Sequence, residues 1–358
     1  MILELTITLA KVLFIVGLTV GFFAPVLTWV ERKQSAIMQD RIGANRADIM
    51  GFTALGLFHA IADAIKMFTK EDFIPQGANR FLHTLSPIIA VIPAILTFAV
   101  VPFGGQYELW GTKINLVISD LDVGLLFVFA IASIATYGYV IAGWASNNNW
   151  SLLGSMRTAS QMISYEVTMG LTIVGVLMVY GTLKLTEIGA AQEDFLNWGF
   201  FLQPVGFFMF LAASIAENKR IPFDAPEAES ELVAGYFTEY SGLKFGMFFM
   251  SEFIEMVTIG AIVTILFFGA WHIPFLSSAV LLSWLDFLGT NWATLALMLI
   301  HIGVFFAKVI FFIWFQMTIR WTLPRFRYDQ IMKLGWKILL PLSLANILVT
   351  GLVILAIH

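Results

Sequence analysis

A chain of 358 residues that is 59% hydrophobic and only 12% charged, with a mean hydropathy of +0.85, cannot present a water-soluble surface, so most of it must be solvated by lipid. Its net charge of −4 and the lack of a long basic run offer no track for a phosphate backbone, which sets nucleic acid aside. It has no cysteine, which excludes disulfides, thiolate zinc sites and the usual ligation of an iron–sulfur cluster, so an electron moved with its help travels on a partner's cofactor or a diffusible carrier.

In chain order, eight apolar stretches near 6–30, 82–103, 121–145, 157–180, 199–216, 246–270, 290–316 and 336–357 approach or exceed the roughly 20 residues that a helical crossing needs. The expected fold is all-α, a polytopic membrane protein forming one integral membrane domain over 1–358. The first stretch has no basic flank and no small-residue cleavage site, and it runs into Glu31-Arg32-Lys33, which marks a retained helix rather than a signal peptide.

Sixteen of the twenty basic residues fall in loops 31–81, 146–157, 217–245 and 317–337. The opposite loops hold only Lys113 and Lys184, so the positive-inside rule turns the rich loops to the cytoplasm and both termini to the periplasm of a bacterial inner membrane. Within loop 31–81, GFTALGLFHAIADAIKMFTKE is too polar for a span, and its His59, Asp63, Lys66 and Lys70 recur at helical spacing. That pattern predicts an amphipathic helix, either a surface anchor or the wall of a cavity. After the second span, the acidic QYELWGTKINLVISDLD reads as a small ordered cap, and no repeat of solenoid length is evident.

A charge at the bilayer centre costs about 3 kcal/mol or more, so ionisable groups within spans are the first functional candidates. Glu166 sits in SQMISYEVTMG, Glu252 and Glu255 lie one helical turn apart where they can repel, and Lys308 sits in FFAKVIFFIW. The histidines, His59, His83, His272, His301 and His358, lack the spacing of a metal or bis-histidine haem site and read as isolated. The loop ENKRIPFDAPEAESELVAGYFTEYSG carries Glu217, Asp224, Glu227, Glu229, Glu231 and Glu239. Its interleaved Ile221, Phe223, Leu232, Tyr236 and Tyr240 are too apolar for a free tether, so the carboxylates are expected to pack into protein and titrate together.

The segments WVERKQSAIMQDRIGANR, ADAIKMFTKE, ISYEVTMG, NKRIPFDAPEAESELVAGYFTEYSGLKFGMFFMSE and TLPRFRYDQIMKLGWKILLPL together resemble the H-subunit family of bacterial complex I, whose mitochondrial counterpart is subunit 1. The resemblance runs from about residue 25 to 355. It implies an eight-helix heel of the membrane arm that encloses a quinone chamber together with iron–sulfur and quinone-site subunits of the peripheral arm. The bound substrate it implies is ubiquinone or menaquinone, with no metal, haem or iron–sulfur cluster on this chain. The other partners it implies are small membrane subunits, antiporter-like subunits and the lipid bilayer.

By matching motif, Glu31, Arg32, Arg41, Phe58, Asp63, Arg325 and Arg327 fall at the chamber or its rim. Glu166, Glu217, Asp224, Glu227, Glu229, Glu231 and Glu252 fall on an acidic route that couples quinone reduction to proton translocation. The chain departs from the family in reading RIGANR where a proline-containing RxGPNR is usual, and in carrying Glu255 where a neutral residue is commoner. The alternatives are a heel subunit of a related membrane-bound hydrogenase or ferredoxin-linked complex, a secondary ion transporter using Glu166, Glu252 and Lys308, or a purely structural anchor.

Overall fold

A computed structural model describes residues 2–227 and 229–357. The chain enters as α1 (Ile2–Val16), a π-helical turn (Gly17–Phe23) and α2 (Ala24–Met38), which form one continuous rod. A loop leads to α3 (Phe58–Thr69), the amphipathic helix expected from the spacing of His59, Asp63 and Lys66, with Lys70 just beyond its end. The His59 ring ties the loop to this helix, its Nε2 accepting the backbone N–H groups of Arg46 and Ala47 at 3.1 Å each.

The helix α4 (Arg80–Leu96) starts where Asn79 accepts the Leu82 N–H. Its internal Pro87 and Pro93 each remove a ladder donor, and it tightens into a 3₁₀ turn over Thr97–Val100. The acidic cap is a β-hairpin, β1 (Gln106–Leu109) paired antiparallel with β2 (Thr112–Asn115) through a Trp110-Gly111 turn in which both residues have positive φ.

Next come α5 (Gly124–Ala145) and α6 (Asn149–Tyr180). The latter is capped by Asn148 and closed by a left-handed Gly181 whose N–H bonds the Leu177 carbonyl. The short α7 (Leu185–Ala191) and α8 (Gly199–Leu202) precede α9 (Pro204–Glu217). The acidic loop holds a single turn, α10 (Glu229–Leu232), before α11 (Gly242–Phe267). The chain closes with α12 (Ser278–Leu285), α13 (Thr290–Thr322), α14 (Tyr328–Lys333), a second π-helical turn (Leu334–Leu339) and α15 (Leu340–Ile357).

Among the described residues seven helical segments are long and apolar enough to cross a membrane. The expected span at 199–216 differs because Pro204 lacks an N–H and restarts the helix, leaving α8 and α9 on either side of Gln203. The broken segment still runs the depth of the bundle. Gln203 lies beside Gly175 of α6, whereas the Ala216 carbonyl accepts from Gln161 of the same helix, so α9 descends antiparallel to α6. The break is sealed by Gln203, which donates to Thr350 at 2.7 Å and accepts from Asn346 at 3.0 Å on α15.

The axis of the bundle is α11, whose apolar window is 78% buried, against 22% for the first span and 17% for the last. Those outer helices face lipid or partners, while α11 carries Glu252 and Glu255 through the interior.

Candidate functional site

A cavity of about 810 Å³ opens between α2, α3 and α11, within the range of pockets that hold a drug-sized ligand. Its body is apolar, walled by Ala24, Pro25, Met67, Phe249, Met250 and Phe253. The α3 and α11 helices come close at Gly246, where an added Cβ would lie 2.6 Å from the Met67 sulfur. One end is polar, with Glu31, Arg32, Arg41 and Asp63 in the wall and Arg32 paired to Asp63 at 2.6 Å. Four of the seven residues expected at the chamber thus converge. Phe58 instead packs against Phe52, and Arg325 and Arg327 stand away from the cavity wall.

Glu31 holds a guanidinium on each carboxylate oxygen. Arg320, from the end of α13, pairs with Oε1, and Arg220, from the acidic loop, donates to Oε2 at 3.0 Å. Arg220 is buried and also lies 3.9 Å from Glu252 Oε2, with its guanidinium over the Phe253 ring. Burial discourages its charge, but Glu31 and Glu252 more than offset this and raise its pKa. Glu252 in turn accepts from Tyr236 at 3.0 Å, and the same phenol oxygen lies 3.3 Å from Glu227 Oε1. A continuous polar chain therefore leaves the cavity through Glu31, Arg220 and Glu252 to Glu227. Burial pushes the Glu227 carboxyl well above the ordinary range, and Glu252 and Asp224 push it the same way.

The remaining carboxylates divide by position. Asp224 is buried and meets Arg325, and burial still lifts it to about 6 against that cation. Glu217 lies with Glu255 on a second cavity, of about 60 Å³, between α5, α6, α9 and α11. Glu166 is half-buried on α6 and accepts from Ser133 of α5. Glu231 stands apart at the surface on Arg157, and Arg327 pairs with its neighbour Asp329. The Glu229 side chain lies outside the described residues.

Composition and spacing leave several participants unmarked. Arg320 reads only as a loop cation, Tyr139 lies in no motif, and Tyr236 and Lys219 lie in the acidic-loop motif with no role assigned to them; a buried partner for each nearby carboxylate is the available clue. Among the described residues Lys308 forms no ion pair with a carboxylate. Its Nζ donates to the carbonyls of Phe268, Ala270 and His272 at 2.6–3.1 Å, capping the end of α11 over the Trp198 ring. Among the described residues no three His, Cys, Asp or Glu side chains gather as a metal site.

The family model described as NADH dehydrogenase matches residues 10–351. The chain is 46% identical over 328 residues to the H subunit of NADH-quinone oxidoreductase from Flavobacterium johnsoniae, covering 92% of this chain and 89% of that protein. It is 47% identical over 355 residues to the first of the H-type subunits of the same enzyme from Geobacter metallireducens, covering 99% and 98%. It is 44% identical over 354 residues to the second H-type subunit from Rhizobium meliloti, covering 98% and 99%.

Proposed function

The chain belongs to the NADH dehydrogenase family, as an integral membrane subunit of an NADH-quinone oxidoreductase, and from that premise we propose that it forms part of the quinone chamber and couples quinone reduction to proton translocation. In this reading the cytoplasmic side carries loop 31–81 with its amphipathic helix and the acidic loop 217–245, and both termini are periplasmic. The peripheral-arm subunits dock on that side, and the antiporter-like subunits continue the membrane arm.

One observation carries the proposal: Arg220 joins the polar end of the large cavity to the buried carboxylates of α11 and the acidic loop. The apolar body between α2, α3 and α11 suits an isoprenoid tail, and the Glu31, Arg32 and Asp63 end suits a headgroup. Reduction of a quinone to quinol takes two electrons, supplied from a partner's iron–sulfur cluster, and two protons.

Protons drawn from the polar end leave negative charge there, which Arg220 and Arg320 stabilise at Glu31. The shared guanidinium then links the charge of Glu31 to that of Glu252, so a change at the chamber alters the proton affinity of Glu252 and Glu227. Coupling of this kind needs two states that differ in carboxylate energetics.

The reading is tested on the assembled complex in proteoliposomes with a photoreactive quinone. Labelling of Met67 or Met250, suppressed by excess native quinone, supports the chamber; labelling confined to other surfaces removes it. NADH-driven proton uptake in E252Q at equal assembly then tests coupling, with a loss of at least about tenfold expected.

A further inference from the structure

Beside the Arg220–Glu252 pair stands a second pair of the same construction. Lys219 precedes Arg220 in the acidic loop, and Glu255 follows Glu252 by one turn of α11, so two successive cations face two carboxylates on one helix. Lys219 Nζ lies 3.6 Å from Glu255 Oε2 and 3.5 Å from the centre of the Tyr139 ring. The lysine side chain is 0% exposed, and its ammonium makes no hydrogen bond. A buried ammonium held only by an ion pair and a ring face is free to follow its counter-charge, unlike Lys308, which is fixed by three carbonyls.

The two carboxylates are also served by matching phenols. Tyr236 donates to Glu252 at 3.0 Å, and Tyr139 donates to Glu255 Oε1 at 3.2 Å. The two rings meet edge to face, with centroids 5.0 Å apart. With its amide nitrogen turned toward α11, Asn218 also donates to Glu255 Oε2 at 3.3 Å. What distinguishes Glu255 is its far side, because it lines the 60 Å³ cavity that Glu217 shares. A water needs about 10–15 Å³ of such space, so the cavity can hold several between the two carboxylates.

Building on the reading above, we propose that Glu255, with Lys219 as its counter-ion, is a proton-relay site that connects the Arg220–Glu252 pair to the cavity containing Glu217. In the transfer an O–H bond breaks at protonated Glu252 and one forms at the Glu255 carboxylate, directly or through water. The negative charge moves from beside Lys219 to beside Arg220, so a cation faces the charge before and after the step. An O–H bond then breaks at Glu255 and one forms at an ionised Glu217 across the small cavity, so the negative charge of Glu217 passes to Glu255 beside Lys219 while that of Glu252 stays beside Arg220.

The test uses the assembled complex in proteoliposomes, reading NADH:quinone turnover and protons moved per electron. Because E255Q alone leaves a buried lysine unpaired, the deciding variant is E255Q/K219M, which removes both charges. It is expected to assemble as wild type and to lose coupled proton movement about tenfold, and E255D is expected to restore a third or more of the wild-type value. Wild-type turnover and proton ratio in E255Q/K219M overturn the relay. E252Q separates the two readings. If E252Q fails while the double variant runs normally, the link through Glu255 is absent and the chamber reading stands; if both run normally, both fall.

Discussion

Arg220 donates to Glu31 at 3.0 Å across 189 positions of sequence, tying the acidic loop to the end of the first membrane rod. Neither α2 nor the loop could hold that contact alone; it exists because Arg320 from α13 occupies the other oxygen of Glu31 and α11 supplies Glu252. Removing one partner of a buried charge pair typically costs about 3–5 kcal/mol, because the other is left uncompensated. R220M should therefore lower the yield of assembled complex and cut quinone reduction more than about tenfold. R220K keeps the charge but not the forked geometry and should retain assembly with reduced turnover. Equal turnover in R220M would show that the bridge is dispensable.

The Arg32–Asp63 pair at the polar end of the large cavity is of another kind, with the arginine side chain 48% exposed. Solvent-exposed pairs contribute about 0–1 kcal/mol, so D63N should leave the thermal unfolding midpoint nearly unchanged. Its effect is expected on the Michaelis constant for quinone, a rise of about three- to tenfold with the maximal rate largely kept. An unchanged constant would place Asp63 outside the substrate's reach.

Asp224 offers a pH test. Its carboxyl rises from an ordinary 3.8 to about 6 through burial, despite Arg325. The folded chain therefore binds this proton more tightly than the unfolded chain, and the group's contribution to stability declines as pH rises from about 4 to about 6. D224N cannot ionise and should flatten that part of the stability curve, followed by thermal unfolding in detergent. If the slope persists in D224N, another group sets it.

Lys308 is expected to act on stability. Its loss strands three carbonyl groups at the end of α11, each costing about 1–3 kcal/mol if left unsatisfied. K308M should depress the unfolding midpoint and the yield of folded subunit, whereas the protons moved per electron by any complex that does assemble should match wild type. A changed proton ratio at normal stability would instead assign Lys308 to proton movement.

A smaller change tests the scaffold. A Cβ on Gly154 would meet the Gly235 backbone at 2.7 Å, where α6 presses on the acidic loop just before Tyr236. G154A should cost about 1–3 kcal/mol by overpacking and weaken quinone turnover by displacing the phenol that bridges Glu227 and Glu252. Wild-type stability and turnover would show that the loop accommodates the methyl group.

The spans were legible because lipid imposes length and apolarity, and α3 was legible because its polar residues keep helical period. Pro204 stood in plain view, yet the seal that lets a helix break within the bundle depends on Gln203 reaching Thr350 and Asn346, partners almost 150 residues away. The hairpin was harder to read because Trp110-Gly111 is not a usual two-residue turn. Glu31, Arg32, Arg41 and Asp63 line one cavity, since each lies on or near a helix whose face is set by period. Arg320 escaped notice because a cation at a span's end has an ordinary explanation in the positive-inside rule. Lys219 escaped because pairing with Glu255 depends on how the loop folds back over α11.

The π-helical turn at Gly17–Phe23 fixes the angular phase of everything that follows it on the rod. Such a turn holds one residue more than an α-helix would, and each α-helical residue turns the chain by about 100°. Deleting a single residue there would straighten the ladder at almost no cost in apolarity or length. Because the wide turn already absorbs that residue, Glu31 and Arg32 would keep about the same phase, whereas a deletion in the α-helical part of the rod would swing them by about 100° around the axis, away from Arg220 and Asp63. The exposed half of the rod thus tolerates substitution and the wide turn tolerates loss of one residue, whereas from Phe23 to the cavity the rod's length behaves as a count rather than a distance.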